Sequence, residues 1–187
     1  MKKFSIIYAD PPWKHKDANR NGNRGAVNKY PCMDLGQLFA MRPMIDQWAA
    51  PDCLLALWWL GSMPAEALDL VKVWGFSLWN MNGLIWHKET KHGKEHFGLG
   101  RTTRPSTEIC LFARRGRVER IDKGVRQVFV AKTGVHSQKP NEARLRLVRL
   151  FGDKPRIELF ARETVDGWSA FGNQVGILNN ENESLKP

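Results

Sequence analysis

Apolar residues fall in short blocks separated by polar, glycine-bearing stretches. The first block, Phe4 to Ala9, is apolar except at Ser5 and is predicted as a buried strand. Asp10, Pro11 and Pro12 end it. Residues 14–30 are polar and rich in Asn, Gly and basic side chains, and are predicted as a loop. Asp34 to about Trp48 is predicted helical, with a break near Pro43. Cys53 to Trp59 is predicted as a second buried strand. Ser62 and Pro64 open a helix carrying Ala67, Leu68, Val71 and Trp74 at helical spacing, which Gly75 closes. Strands are predicted over 76–86, 107–113 and 127–131, with a second basic loop over 87–106. Pro140 to Phe151 is predicted helical, with Ala143, Leu147, Leu150 and Phe151 on one face and Arg144, Arg146 and Arg149 mostly off it. Strands over 156–161 and 168–171 follow, then a frayed Asn/Glu-rich tail. Strands alternating with helices predict an α/β fold with a mainly parallel sheet, as one domain over 1–178 with a tail over 179–187. In such sheets ligands bind at the carboxyl ends of strands, and Asp10 stands at one.

Charge sharpens this picture. The net charge is +10, and residues 86–151 hold sixteen Lys and Arg against six Asp and Glu. That excess equals the whole net charge and points to a polyanion-binding face. Three scattered cysteines with no C-x-x-C pair argue against a disulfide framework or a zinc site and for a reducing compartment. The apolar run after Lys3 is too short for a secretory segment, and Cys53 to Leu60 is far too short to span a membrane. A soluble cytoplasmic protein of bacterial or phage origin is expected.

The stretch Asp10-Pro11-Pro12-Trp13 carries the first candidate chemistry. Two prolines fix two φ angles and remove two N–H donors. Their carbonyls are therefore expected to be free to accept from a ligand. With the Asp10 carboxylate and the Trp13 indole they make an acceptor-only cradle with a stacking wall. Such a cradle suits a planar base bearing an exocyclic amine. Acceptors on its hydrogens draw the lone pair out of the ring for attack on a sulfonium methyl, a transfer that needs no metal.

A second group lies near the C-terminus. Lys139 precedes a helix start, a seat for a carboxylate. Glu158 sits inside an apolar strand and needs Arg162 or a ligand hydroxyl as partner. Asn173 and Gln174 follow Gly172 and offer amide donors and acceptors.

Together these blocks resemble the METTL-type (MTA-type) family of adenine N(6)-methyltransferases, which use S-adenosylmethionine. The resemblance rests on Asp10 to Trp13, His136 to Pro140, Glu158 to Arg162, Gly167-Trp168 and Gly172-Asn173, in that order. Leu57-Trp58-Trp59, Trp74-Gly75-Phe76, Gly98, Gly100, Arg104 and Glu108 fit between them. It implies a Rossmann-like methyltransferase fold in permuted order, with the catalytic strand first and the cofactor strand last. It also implies roles. Asp10 contacts the target amine and the methionine amino group. Pro11 and Pro12 supply the turn and its carbonyls, and Trp13 stacks on the base. Lys139 holds the methionine carboxylate, and Glu158, Arg162, Asn173 and Gln174 serve the rest of the cofactor. Val165 stands where relatives carry an Asn.

The substrate backbone is expected to meet Lys14, Lys16, Arg20, Arg24, Lys88, Lys91, Lys94, Arg101 and Arg104. DNA is favoured over RNA. A related enzyme acting on another exocyclic amine, such as the cytosine 4-amino group, and a silent nucleic-acid-binding subunit are the competing readings; the intact D-P-P-W counts against the second. A second copy or a partner subunit stays open.

Overall fold

A computed structural model describes residues 2–14, 32–98, 100, 102–134 and 138–172. Lys16, Arg20, Arg24, Arg101, Asn173, Gln174 and the tail lie outside the described residues.

Among these residues seven strands form one sheet: β1 (Phe4–Ala9), β2 (Ala49–Trp59), β3 (Ser77–Glu89), β4 (Thr107–Arg115), β5 (Val128–Lys132), β6 (Arg156–Leu159) and β7 (Ser169–Phe171), in the order β5-β3-β4-β2-β1-β6-β7. β4 runs antiparallel to both neighbours, and every other pairing is parallel. The sheet is thus mainly parallel, as the alternation of blocks predicts.

β1 lies between β2 and β6, with Ile7 opposite Leu55 on one side and Ile157 on the other. Helices cover both faces, which is why β1 and β2 read as continuous apolar runs. One core packs Ile7, Ala9 and Leu55 against α1 (Leu35–Phe39), α2 (Arg42–Trp48) and α3 (Pro64–Val73), through Leu38, Ile45 and Leu70. The other packs Ile6, Tyr8 and Ala56 against α4 (Asn141–Phe151), through Leu147 and Phe151.

Several local readings change. Residues 34–48 hold two helices, and Pro43 lies in the first turn of α2, where its missing N–H costs nothing, instead of breaking a longer helix. Asp34 caps α1 with Gln37 in a reciprocal capping box. α3 starts after Met63 without a side-chain cap, so Ser62 does not cap it. β3 runs on to Glu89 because polar His87, Lys88 and Glu89 pair with β5 at Val130, Ala131 and Lys132. β6 ends at Leu159, two residues early, because Phe160 turns into the left-handed region (φ 61°).

Candidate active site

Helices α1 and α2, between β1 and β2, cover one face of the sheet, while α4, before β6, covers the other. The connections diverge between β1 and β6, and their carboxyl ends open the crevice where parallel sheets bind ligands. Asp10 stands at one lip and Phe160 at the other.

Asp10, Lys139, Glu158 and Arg162 line a cleft there, together with Gln138, Arg144 and Phe160. The sequence sites from both ends of the chain therefore meet. The free space is only about 10 Å3, room for roughly one water. Two clusters of ion pairs surround it. Lys139 Nζ lies 2.6 Å from Asp10 Oδ2 and 3.1 Å from Glu108 Oε2. Lys88 Nζ lies 3.1 Å from Glu108 Oε1. Arg144 grips Glu158 with both arms, at 2.7 Å and 3.0 Å, and reaches Glu163 at 3.2 Å.

The electrostatics follow from this sharing. Burial pushes the Asp10 carboxyl up; Lys139 offsets part of that, and the Glu108 charge adds to it. Burial also acts to raise Glu108, but Lys139 and Lys88 together outweigh it and hold this carboxyl below its usual range. Burial opposes the Lys139 charge, yet its two carboxylates keep it protonated and shift it upward. Burial raises Glu158 against the pull of Arg144. Asp10 is the less compensated of the two carboxylates around Lys139.

The turn beyond Asp10 differs from expectation. Trp13 N–H donates to the Pro11 carbonyl at 2.8 Å, and Met33 N–H donates to the Pro12 carbonyl at 2.8 Å. Neither carbonyl is left free, because the chain doubles back and supplies its own donors. The Trp13 indole is 6% exposed, packs in the core and donates through Nε1 to the Trp58 carbonyl at 3.0 Å. Its face is not open to a base in this arrangement.

Three site neighbours escape the sequence reading. Arg144 is 3% exposed and not off the apolar face of α4. Its spacing to Leu147 and Phe151, i, i+3 and i+7, is the signal that was there. Glu158 accordingly pairs with Arg144 and not with the expected Arg162. Glu108 enters the site because β4 is reversed, which no local pattern reveals. Phe160 is placed by its positive φ.

The connection 90–106 joins the carboxyl end of β3 to the start of β4, and so lies at the catalytic end. Lys14, Lys91, Lys94 and Arg104 are exposed, and Arg104 stands 5.1 Å over the Phe97 ring. Lys88, also expected to meet the substrate backbone, is 14% exposed and paired with Glu108. Among the described residues no group of His, Cys, Asp or Glu is arranged to hold a metal, and no helix is long and apolar enough to cross a membrane.

The sheet, the reversed strand and the acid at the end of β1 define a Rossmann-like methyltransferase fold. The chain belongs to the MT-A70 family, whose sequence model matches residues 4–174. It is 30% identical to the type II methyltransferase M.MunI of Mycoplasma sp., over 93% of this chain and 78% of that protein. It is 31% identical to the N6-methyladenosine RNA methyltransferase MTA1 of Cryphonectria parasitica and 27% identical to the human N(6)-adenine-specific methyltransferase METTL4. Those alignments cover 92% and 93% of this chain but 52% and 38% of the relatives, so the chain spans about half or less of their length.

Proposed function

We propose that this protein transfers a methyl group from S-adenosylmethionine to the 6-amino group of adenine in nucleic acid, with DNA as the substrate. The carrying observation is the Asp10 carboxylate, held at the sheet's crevice by Lys139. DNA is favoured because the type II enzyme is the relative that this chain covers far more fully than the other two. We read residues 1–178 as one catalytic domain. We place it in the cytoplasm on the sequence argument, three scattered cysteines with no C-x-x-C pair.

The donor set fits the cofactor. An ammonium has three donors, and Lys139 directs two of them at Asp10 and Glu108. The third can meet a carboxylate, while Asp10 can accept from an amino group. Glu158 gives each oxygen to one Arg144 donor and keeps lone pairs for hydroxyls. We assign Lys139 to the methionine carboxylate, Asp10 to its amino group, Glu158 and Arg162 to the ribose, and Asn173 and Gln174 to the adenine. When bound, the cofactor supplies an electrophilic methyl group on a sulfonium.

Asp10 accepts a hydrogen bond from the adenine 6-amino group and localises its lone pair. The nitrogen becomes acidic only as it is alkylated, so no strong base is needed beforehand. A carboxyl raised by burial is a better resting place for that proton than an ordinary aspartate. Pro11 and Pro12 fix where the carboxylate points. Trp13 pins the turn to β2, and we assign it to that task and not to receiving the base. In a duplex the base must be flipped out first. Lys14, Lys91, Lys94 and Arg104, with Lys16, Arg20, Arg24 and Arg101, hold the phosphates.

The test is purified protein, S-adenosylmethionine and duplex DNA, single-stranded DNA or RNA, followed by nucleoside mass spectrometry. N6-methyladenine in DNA is the expected product. Methyl on cytosine N4 would establish the other exocyclic amine as target. Cofactor binding with no methylated product on any substrate would mark a silent subunit.

A further inference from the structure

A second cleft lies on the α4 face of the sheet, away from Asp10. Its volume is about 320 Å3, within the range of small-ligand sites. Phe112 and Phe151 line it with Trp79, which is 39% exposed. The Trp79 and Phe151 ring centroids are 6.1 Å apart. Gly83 keeps this surface clear, since a Cβ there would stand 2.4 Å from the Phe112 ring.

The charges around it are unusual for this surface. Arg146 and Arg149, on α4, each reach a carboxylate, at 2.7 Å and 2.8 Å. Arg120 and Arg126, which line the cleft, have no carboxylate partner among the described residues. Nor has Arg114, whose guanidinium lies 5.2 Å over the Trp79 ring. Unneutralised guanidiniums thus gather around Trp79, the exposed aromatic of the cleft, over a floor of buried Phe112 and Phe151.

Two amides complete the lining. Asn80 Oδ1 accepts from Asn82 N–H at 2.9 Å, which leaves the Asn80 amide as a donor. Gln127 Nε2 donates to the Asn82 carbonyl, which leaves the Gln127 oxygen as an acceptor. Cation, aromatic face, and a paired donor and acceptor match a nucleotide: phosphate, ring and base edge.

We propose that this cleft binds a nucleotide of a single nucleic-acid strand, several residues away from the one at Asp10. The inference rests on the nucleic-acid reading above. Phe112 lies four residues along β4 from Glu108, about 14 Å at strand spacing, the span of about four stacked nucleotides. That direct line runs through the core at buried Cys110, so a strand that reaches both places follows a longer surface path, and the far cleft adds grip that does not depend on the target base.

The probe is a fluorescein-labelled dT12 strand, read by anisotropy across a salt series without cofactor. Binding should weaken about tenfold or more in Trp79→Ala. In the Arg120→Ala/Arg126→Ala double variant the salt slope should become shallower by about 1.4, for two lost phosphate contacts. All three positions are exposed, and circular dichroism verifies folding in each variant. Wild-type affinity and slope in both variants would overturn the proposal. So would AMP binding that dT12 does not compete, which would mark a mononucleotide site. The probe contains no adenine and the assay no methyl donor, so a protein that methylates nothing would still give the expected result. Failure here is thus separate from failure of the proposed reaction.

Discussion

Lys139 and Asp10 are 129 positions apart in the chain, yet Nζ and Oδ2 meet at 2.6 Å. The contact joins the turn after β1 to the residue before the Pro140 cap of α4, across the crevice. It also brings together the opposite charges that the two ends of a bound amino acid would require.

Asp10→Asn tests the acid directly. The substitution keeps the shape but places a donor opposite an amine, so methylation should fall by at least a hundredfold. The fold should not suffer. Because the Asp10 carboxyl is raised, its ionised form costs stability at neutral pH, and removing that charge should leave the melting temperature equal to or above wild type. A folded, cofactor-binding Asp10→Asn protein with wild-type turnover would sink the assignment.

The pH profile carries a second expectation. Asp10 acts as the carboxylate, so turnover should be lost as pH falls through a value above the ordinary 3.8. Glu108 is one of the groups that raises it. Glu108→Gln removes that charge and leaves Lys139 to Asp10 alone, so the acid limb should move to lower pH. A limb that stays put would show that another group sets it.

Lys139→Ala should weaken S-adenosylhomocysteine binding roughly ten- to a hundredfold, the value of a charged hydrogen bond. The thermal shift produced by that ligand should shrink accordingly. The unliganded variant should also melt lower, since Asp10 and Glu108 lose the cation between them. An unchanged ligand shift removes Lys139 from the cofactor site.

Arg144→Met leaves Glu158 buried without its bidentate partner. The loss should be about 3–5 kcal/mol by denaturant unfolding. Adding Glu158→Gln should recover a large part of it, because the uncompensated charge is then gone. Equal stability of the single and double variants would mean that Glu158 is already relieved by something else.

Gly172→Ala should cost about 1–3 kcal/mol. A Cβ there would stand 2.4 Å from the Ala161 carbonyl oxygen and 2.6 Å from its nitrogen, both backbone atoms that cannot swing aside. The strain falls next to Arg162, so cofactor affinity should drop in the same variant.

Much of this was readable from local pattern. β1, β2 and α4 announce themselves through apolar spacing, and the acid at a strand end is visible because two prolines follow it. The hydrogen bonds of the Pro11 and Pro12 carbonyls were not readable, since one donor, Met33, stands 21 positions further along the chain than Pro12. Glu108 was legible as one of the residues that fit the family resemblance, but not as a neighbour of Lys139. Its place beside Lys139 depends on strand order and direction, which hydrophobic period does not encode. Arg144 shows the opposite failure: its spacing was informative, but its residue type suggested solvent.

The reversed direction of β4 has an evolutionary consequence. Parallel strands deliver only their endings to the reacting end of a sheet, and their returns are occupied by helices. One antiparallel strand adds a hairpin whose tip, residues 90–106, faces the reaction while its stem stays in register behind. Such a tip tolerates insertion and replacement without disturbing the strands that carry it. On the proposed function, this segment can therefore change while Asp10, Lys139 and the crevice stay in place.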